Sequence, residues 1–399
     1  AYDKFRMSKE DYELQKELEK EQEKALKEKQ HEIYLIFEIV PYQLKSTIVN
    51  IQKQLPQTDI VPITEYKEFN IYSNFIDTSK SFILNRNCAI YNSKNIRLRK
   101  KFARLIKNIN PDIIHCTDFI DLDDLFLYKY RSKIVQIVHD PFPHSGEDTI
   151  RKKIKRYLGL KLIEKFVLLN NKQLNQFQKE FNIPPYKVHT NSLGTYDCIK
   201  AYQTIPSTKA EQILYFGRIS QYKGIEYLLQ AMEYVHKERP NAQLVIAGGG
   251  NFYFDITPYQ NKNYIKIINR YISTEELYQL LSTSCLVVCP YTDATQSGVI
   301  MSAFTLDIPV IATNVGGLPN TVEHEKTGIL VPPRNSNSIA KSIIHLLKNP
   351  NLIEQYTNNI KEQRLFGKYS WNRIADNYIS IYDELLNNAN QQLKTSSDS

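Results

Sequence analysis

The chain contains 399 residues, of which 42% are hydrophobic and 27 are tyrosine, and it carries a formal net charge of +8 at pH 7. A chain of this length exceeds one ordinary hydrophobic core and predicts two domains. Its apolar content excludes disorder throughout, and no apolar run approaches the roughly 20 residues of a membrane span. Five cysteines without a CxxC pair favour buried free thiols and a cytoplasmic location.

The first predicted element is a charged helix. Residues 8–31 are rich in Glu and Lys and lack a sustained heptad, so segment 1–31 is interpreted as a solvated helical extension. From residue 32 onward, strand-like runs alternate with helical patterns, as in parallel sheets that are covered on both faces. In the N-terminal half these runs are 33–40, 112–116, 133–139 and 187–191.

Two helical patterns in this half are strongly basic. The segments RLRKKFARLIK (97–107) and RKKIKRYLGLKLIEKF (151–166) interleave cations with apolar residues at helical spacing. One interpretation is two surface helices whose apolar stripes face the core. The other is a basic face that docks peripherally on anionic lipid or on a phosphorylated acceptor. RNA binding is a weaker third option, and no nucleic acid is expected as a partner because no nucleic-acid-binding module is recognisable.

A polar stretch divides the chain. The segment AYQTIPSTKAEQ (201–212) predicts a linker between a first domain over 32–203 and a second over 204–368. An amphipathic helix is predicted at 369–387, and the polar residues 388–399 predict a disordered tail. The strand-like runs of the second domain are 212–216, 243–248, 264–268, 285–290 and 309–313. The predicted fold class is α/β, with two Rossmann-like domains that face each other across a cleft, where ligands meet the carboxyl ends of the strands.

The segment ILYFGRISQYKG (213–224) combines features that suit a diphosphate. An apolar strand precedes Gly217, the cations Arg218 and Lys223 bracket the turn, and Gly224 opens a helical pattern. Backbone N–H groups and the positive end of a helix favour an anion, and Arg and Lys neutralise it. An ordinary βα turn with solvated charges is the alternative.

A second candidate site lies in PYTDATQSGVIMSAF (290–304). Ser297 and Gly298 begin an apolar helix, and small residues at this point leave backbone N–H groups open to an anion or to sugar hydroxyls. Gln296 adds both a donor and an acceptor. Ordinary loop chemistry is again the alternative for this segment taken by itself.

The order of these segments resembles a known family. FGRISQYKG, VIAGGG, the loop around 271–276, SGVIMSAF, PVIATNVGGLPN and TGILVPP are similar to the donor half of family 4 retaining glycosyltransferases, the glycosyl transferases group 1. The resemblance runs through about residues 211–333, and SWNRIADNYISIY matches the family's final helix, which packs back toward the N-terminal domain. It implies the GT-B fold. NPDIIHCTDF, VHDPFPHSGE and NSLGTYD agree more loosely, and Pro41 stands where a glycine-rich loop is usual.

The resemblance also implies roles for individual residues. His139, Arg218 and Lys223 are the expected catalytic residues: the two cations would stabilise charge on the leaving nucleotide, and His139 would contact the donor sugar or its phosphate. The backbone at Tyr271 and Ile272 falls where the family meets the base. The residues expected to bind the donor are Gly217, Gly224, Tyr271, Ile272, Gln296, Ser297, Gly298, Val299 and Ser302, and those expected on the acceptor side are His115, Asp140 and His144.

One departure from the family concerns its Glu-x7-Glu pair. The corresponding positions hold Ala294 and Ser302, which implies either a variant donor site or a protein that no longer catalyses. Asp121, Asp123 and Asp124 could bind a cation, but they are interpreted as an exposed acidic turn or helix start, so no metal site and no cofactor are expected.

The resemblance therefore implies a hexosyl-transferring enzyme that retains anomeric configuration. The expected substrates are a nucleotide-diphosphate sugar and a saccharide or lipid-linked acceptor, in surface polysaccharide or glycoconjugate biosynthesis, at the inner face of the membrane. Two alternatives remain: an enzyme of the same fold that epimerises or phosphorolyses sugars, and a catalytically silent subunit that binds a sugar or nucleotide.

Overall fold

The computed structural model describes residues 35–39, 60–64, 82–83, 93–139, 141–142, 150–202, 211–294 and 296–397. The predicted extension over 1–31 lies outside the described residues, as do Pro41, Asp140 and His144. None of the helices in the described ranges combines the length and the apolar composition that are needed to cross a bilayer.

The N-terminal domain is built on a parallel sheet of seven strands in the order β3-β2-β1-β4-β5-β6-β7. The strands are β1 (Leu35–Ile39), β2 (Ile60–Thr64), β3 (Phe82–Ile83), β4 (Ile113–Cys116), β5 (Ile134–Val138), β6 (Lys165–Leu168) and β7 (Val188–Thr190). The helices are α1 (Ser93–Ile109), α2 (Ile150–Leu162) and α3 (Leu174–Phe181). Every residue of β4, β5 and β6 is buried, as expected for strands that are covered on both faces.

The second basic helix is shorter than the sequence predicts. It was expected over 151–166, but α2 ends at Leu162, and Lys165–Leu168 forms the buried strand β6 between β5 and β7. The apolar run that follows Leu162 packs inside the sheet, which overrides the helical pattern of the cations. The first basic segment, 97–107, lies within α1.

The C-terminal domain contains a parallel sheet of six strands in the order β10-β9-β8-β11-β12-β13. The strands are β8 (Gln212–Phe216), β9 (Gln243–Ala247), β10 (Ile265–Ile268), β11 (Leu286–Cys289), β12 (Val310–Thr313) and β13 (Gly328–Val331). The helices are α4 (Ile225–Glu238), α5 (Thr257–Gln260), α6 (Thr274–Ser282), α7 (Gly298–Thr305), α8 (Leu318–Thr321), α9 (Ser336–Lys348) and α10 (Pro350–Leu365).

Helical periodicity explains how this sheet is covered. In α4 the residues Ile225, Leu228, Leu229, Met232 and Val235 recur at intervals of three and four and are all buried. They belong to one continuous core with the strands of the sheet and with the buried face of α9. The resulting order places β8 beside β11. From this pair, successive strands of the chain are added outward in opposite directions, as β9 and β10 on one side and as β12 and β13 on the other. Ligands of such sheets bind at this position, outside the carboxyl ends.

The last helix, α11 (Trp371–Ser397), joins the two domains. The indole Nε1 of Trp371 donates a hydrogen bond to the carbonyl of Thr195 at 2.8 Å, and Nδ2 of Asn191 donates to the carbonyl of Ile374 at 3.0 Å. The helix continues to Ser397, so the prediction of a disordered tail from residue 388 is corrected. The segment 388–397 contains no glycine or proline that would end a helix.

Candidate functional site

A cleft of about 660 Å³ lies between the carboxyl ends of the two sheets. Five of the residues that the sequence predicted for the site line it, and these are His139, Gly217, Gly298, Val299 and Ser302. They come from the end of β5, the turn after β8 and the start of α7. The other predicted residues in the described ranges lie outside the lining of this cleft, and Asp140 and His144 lie outside the described residues.

The turn after β8 requires a glycine. Gly217 has φ 123°, a conformation that L side chains rarely adopt. Its N–H donates to the carbonyl of Ala247 at 2.9 Å, which ties the turn to β9. A Cβ at Gly217 would meet only the side chain of Val299, at 3.6 Å. The backbone of this turn is therefore exposed to the cleft and can be approached closely by a ligand.

The rest of the same motif packs against the loop after β11. Gly224 has φ 61°, and a Cβ there would clash with the carbonyl oxygen of Pro290. The N–H of Thr292 donates to the carbonyl of Tyr222 at 2.7 Å. Gly224 is buried and does not line the cleft. In this structure it holds two loops together, and its predicted contact with the donor stays a prediction.

The two predicted cations are placed differently from each other. Arg218 is exposed. Lys223 is half-buried, with its Nζ 3.7 Å from the ring centroid of Tyr291 and 4.9 Å from that of Tyr222. A cation over an aromatic face is held electrostatically, so the position of Lys223 is determined by the two tyrosines. Neither cation lines the cleft, and binding of a diphosphate by this pair stays a prediction.

The start of α7 forms the wall of the cleft beside Gly217. Ser297 is the buried N-cap residue, and its hydroxyl lies 3.2 Å from that of Tyr291. The first N–H groups of a helix have no partner within the helix, and here they belong to an element that lines the cleft. Ser302 is also buried, and its hydroxyl donates to the carbonyl of Gly298 at 3.0 Å.

Ala294 and Gln296 are not among the residues that line the main cleft. Ala294 is 3% exposed, and its carbonyl accepts a hydrogen bond from the N–H of Gly317 at 3.3 Å. Gln296 lines a separate pocket of about 190 Å³ with Asn170 and Asn320. The buried Nε2 atom of Gln296 has no hydrogen-bond partner among the described residues. The structure therefore does not bring Gln296 together with Gly298 and Val299 in one site.

The predicted base-binding loop connects β10 to α6. Arg270 and Glu276 form two hydrogen bonds of 2.7 Å, which lower the pKa of the glutamate. Arg270 also donates to the carbonyl of Tyr271 at 3.1 Å, so the loop has a defined path. The side chain of Tyr271 is 74% exposed, whereas Ile272 packs against the core. Neither lines the cleft, and their contact with a base stays a prediction.

The two histidines of the N-terminal domain have opposite environments. His139 is half-buried and lines the cleft. His115 is fully buried, its Nδ1 lies 2.6 Å from the hydroxyl of Tyr382, and burial lowers its pKa to about 3. The prediction that His115 belongs to the acceptor side is corrected. The side chain packs against α11, with Tyr378 at its edge, because α11 covers this face of the sheet.

Comparisons with known proteins identify the second domain. The profile of the family described as glycosyl transferases group 1 matches residues 201–363. This range contains the Gly217 turn and α7. This segment of the chain is similar to the glycosyl transferases group 1 family, and it makes up less than half of the sequence.

Related sequences and structures agree with this family. An uncharacterised glycosyltransferase of Methanocaldococcus jannaschii is 35% identical over 43% of this chain and 44% of its own length. The alpha-D-kanosaminyltransferase of Streptomyces kanamyceticus is 27% identical over 55% of this chain and 60% of its own. The chain thus spans about half the length of these curated relatives.

The similarity of fold covers more of the chain. A glycosyltransferase from Rickettsia africae has a TM-score of 0.62 at 19% identity and covers 90% of this chain and 99% of its own. The Anabaena protein HepE in complex with UDP-glucose has a TM-score of 0.63 at 15% identity, and the match covers 87% of this chain and 99% of HepE. The two parallel sheets therefore have the GT-B arrangement.

The N-terminal wall of the cleft contains residues that the sequence did not single out for the site. Thr117 and Asp118 follow β4 directly, and Asp118 Oδ2 pairs with Nζ of Lys155 at 2.7 Å. Polar residues just after a strand of a parallel sheet were the signal that could have identified both. Lys152 and Arg156 of α2 and Tyr196 after β7 also belong to this wall.

The acidic segment after β4 has its own partners. Asp121 pairs with Arg151, and Asp124 is buried. In the described ranges, no three His, Cys, Asp or Glu residues are grouped closely enough to hold a metal ion.

Proposed function

We propose that the protein is a retaining glycosyltransferase that moves a hexosyl group from a nucleotide-diphosphate sugar to a saccharide or lipid-linked acceptor. The observation that carries this proposal is the shared cleft, in which Gly217 and the start of α7 face His139. Its volume of about 660 Å³ lies within the range of small-molecule sites, about 300–1,000 Å³. Synthesis of a surface polysaccharide or glycoconjugate is the process that we propose for it.

The donor would bind to the C-terminal domain. The exposed backbone of Gly217 and the first N–H groups of α7 offer donors to a diphosphate. Lys223 and Arg218 follow on the same turn, and a rotation of either side chain toward the cleft would neutralise the leaving group. The backbone at Tyr271 and Ile272 would contact the base. The UDP-glucose complex of HepE, which has a similar fold, supports a nucleotide sugar as the donor.

The reaction would be a front-side displacement. The bond between the anomeric carbon and the diphosphate oxygen breaks as the acceptor hydroxyl attacks the same face, and the departing phosphate oxygen takes the acceptor proton. Positive groups near that oxygen lower the barrier because charge grows there in the transition state. His139 would contact the sugar from the opposite wall. Arg218 and Lys223 would supply the positive charge, so we propose that the reaction needs neither a metal nor a cofactor.

A catalytically silent subunit is the second candidate. Ala294 and Ser302 stand where the sequence resemblance implies a Glu-x7-Glu pair, and neither carries a carboxylate. The hydroxyl of Ser302 already donates within α7, so it offers less to a ribose than a glutamate would. An epimerase has weaker support, from the UDP-GlcNAc 2-epimerase of Neisseria meningitidis, with a TM-score of 0.55 at 13% identity.

The first experiment screens nucleotide sugars by thermal shift and then measures turnover of those that stabilise the protein. Removal of one charge-assisted contact to the diphosphate costs about 1.5–3 kcal/mol, so Arg218→Ala and Lys223→Ala should each weaken UDP binding about 10- to 150-fold. The exposed residues Arg373 and Lys262 provide the matched controls Arg373→Ala and Lys262→Ala.

Three outcomes separate the candidates. Unchanged UDP affinity in both Arg218→Ala and Lys223→Ala would refute the proposed donor site. UDP binding without turnover over a broad panel of donors and acceptors would favour the silent subunit. Transfer that is lost with EDTA and restored by a divalent cation would contradict the metal-free mechanism.

Peripheral contact with the inner face of the cytoplasmic membrane is proposed separately, through the basic segment 97–107 and the part of segment 151–166 that lies in α2. Exposed apolar residues accompany these cations, and Ile150 and Tyr157 are 78% and 61% exposed. Co-sedimentation with anionic vesicles that falls as salt rises is the expected result. Equal binding to neutral vesicles, or no binding at low salt, would refute this part of the proposal.

A further inference from the structure

One face of α2 places cations on the N-terminal wall of the cleft. Lys152, Lys155 and Arg156 are spaced by three and four residues, so they share one side of the helix. All three line the same cleft as Gly217 and His139. The cations of α1, the other basic helix, are not among the residues that line it.

The orientation of this face is determined by packing. Arg156 donates to the carbonyl of Pro141, and its guanidinium lies 6.0 Å from the ring centroid of Phe119. A Cβ at Gly159 would clash with the ring of Phe119. Glycine at this position therefore allows the helix to lie close to the ring. Lys155 is held by its ion pair with Asp118. The cations are therefore positioned by the fold of the domain.

The described residues of the cleft carry more positive than negative side chains. Among them, the lining contains three basic side chains, apart from His139, and one carboxylate, that of Asp118. An excess of positive charge on concave walls attracts an anion and raises its rate of association. Lys152 is the exposed member of the three, and its flexible stem can follow a ligand within the cleft.

This anion is distinct from the diphosphate of the donor. The donor groups proposed above lie on the turn after β8 and on α7, in the C-terminal domain, whereas α2 belongs to the opposite domain. In a cleft that binds two substrates, the second wall serves the second substrate. We infer that the acceptor carries a phosphate group, which Lys152 and Arg156 bind while the acceptor hydroxyl faces the donor. This inference rests on the proposed function.

The acceptor is then either a soluble sugar phosphate or a sugar on a polyprenyl phosphate or diphosphate. Both present the same phosphate chemistry to α2. Arg156 offers a planar pair of N–H groups to phosphate oxygens, and Lys152 offers a point charge. The exposed Ile150 and Tyr157 lie on the same helix, outside the cleft, where the chain of a lipid-linked acceptor would pass.

The experiment measures binding of glucose 6-phosphate and of glucose by titration calorimetry in the presence of saturating UDP, which occupies the donor site. Glucose 6-phosphate should bind at least tenfold more tightly than glucose. Lys152→Gln and Arg156→Gln should each weaken it at least tenfold, and Lys152→Arg should restore most of the affinity because the charge is kept. The exposed Lys129, outside the cleft, provides the matched control Lys129→Gln.

A second arm uses detergent micelles that contain either a polyprenyl phosphate or the uncharged polyprenol. Tighter binding of the lipid phosphate than of glucose 6-phosphate, sensitive to Lys152→Gln, identifies a lipid-linked acceptor, and the reverse order identifies a soluble one. Either order supports the phosphate subsite.

The inference is overturned if glucose binds as tightly as glucose 6-phosphate, or if Lys152→Gln behaves like Lys129→Gln. It is also overturned if Lys152→Gln weakens UDP itself, because α2 would then serve the donor. A wild-type protein that fails to bind UDP contradicts the proposed function, while the titration with glucose 6-phosphate still reports on α2 alone.

Discussion

The contact between Gly298 and Tyr196 joins the interdomain segment to the start of α7, and it predicts an unusual effect of a small substitution. A Cβ at Gly298 would lie 2.6 Å from the hydroxyl oxygen of Tyr196 and 3.3 Å from two carbons of its ring. Tyr196 is 7% exposed, and its N–H donates to the hydroxyl of Thr305 at 2.7 Å, which fixes the backbone that carries the ring.

The expected sign follows from comparing two effects. Glycine to alanine in a helix with open space stabilises a protein by about 0.4–1 kcal/mol. Overpacking of a buried contact costs about 1–3 kcal/mol. We therefore expect Gly298→Ala to lower the free energy of unfolding by about 1–2 kcal/mol. Tyr196→Phe in the same chain removes the closest atom, so the double variant should be more stable than the sum of the two single effects by about 1 kcal/mol.

The chain contains a natural reporter for this junction. Trp371 is its only tryptophan, and it is hydrogen-bonded to Thr195, next to Tyr196. Urea unfolding followed by tryptophan fluorescence gives the free energies for the four proteins of the cycle. Gly249→Ala is the matched control, because the nearest atom to its Cβ is 3.5 Å away. A Gly298→Ala protein as stable as the wild type, or strictly additive effects, would refute this reasoning.

Three further predictions concern stability. Gly248→Ala should lower the free energy of unfolding by about 3 kcal/mol or more, because Gly248 has φ 146° and a Cβ there would clash with the carbonyl of Gly217. Urea unfolding measures this loss, and a neutral effect would contradict the prediction. The pKa of His115 is about 3 in the folded protein against 6.5 ordinarily, so the unfolded state binds more protons below pH 6.5. The free energy of unfolding should therefore fall by about 2 kcal/mol from pH 8 to pH 5. A His115→Phe variant with the same dependence on pH would show that His115 is not the cause. Arg364→Ala should cost about 1.5–3 kcal/mol by breaking the two hydrogen bonds of 2.9 and 3.0 Å to Asp307, as chemical denaturation would measure; a loss below 0.5 kcal/mol would rule this out.

Most of the sheet could be predicted from local sequence. The strands β8, β9, β11 and β12 consist mainly of continuous apolar runs, and such runs are typical of strands buried on both faces. Other strands lack this signal. Pro62 argues against a strand in β2, and the cations before β6 favour a helix, so pairing with neighbouring strands decides both.

The site divides in the same way. A glycine turn at Gly217 could be predicted because the order of strand, glycine and helix is local, and the structure places it in the cleft. The burial of His115 could not be predicted from local sequence, because α11, which covers its face of the sheet, comes more than two hundred residues later. The same reason applies to Lys152 and Arg156. The sequence shows the basic pattern of this helix, but it does not show that these two side chains face the cleft.

The sequence by itself determined the two α/β domains, the order of the motifs that resembles the family, and the positions where only glycine fits. Those properties depend on residues within one or two elements. The tertiary structure decided which side chains share a cleft, because the cleft forms where the carboxyl ends of two separate sheets meet. Contacts such as Trp371 with Thr195 and Asn320 with Asn170 hold the domains in that position. In this arrangement the cations of α2 lie opposite Gly217, and Lys223 packs against the ring of Tyr291.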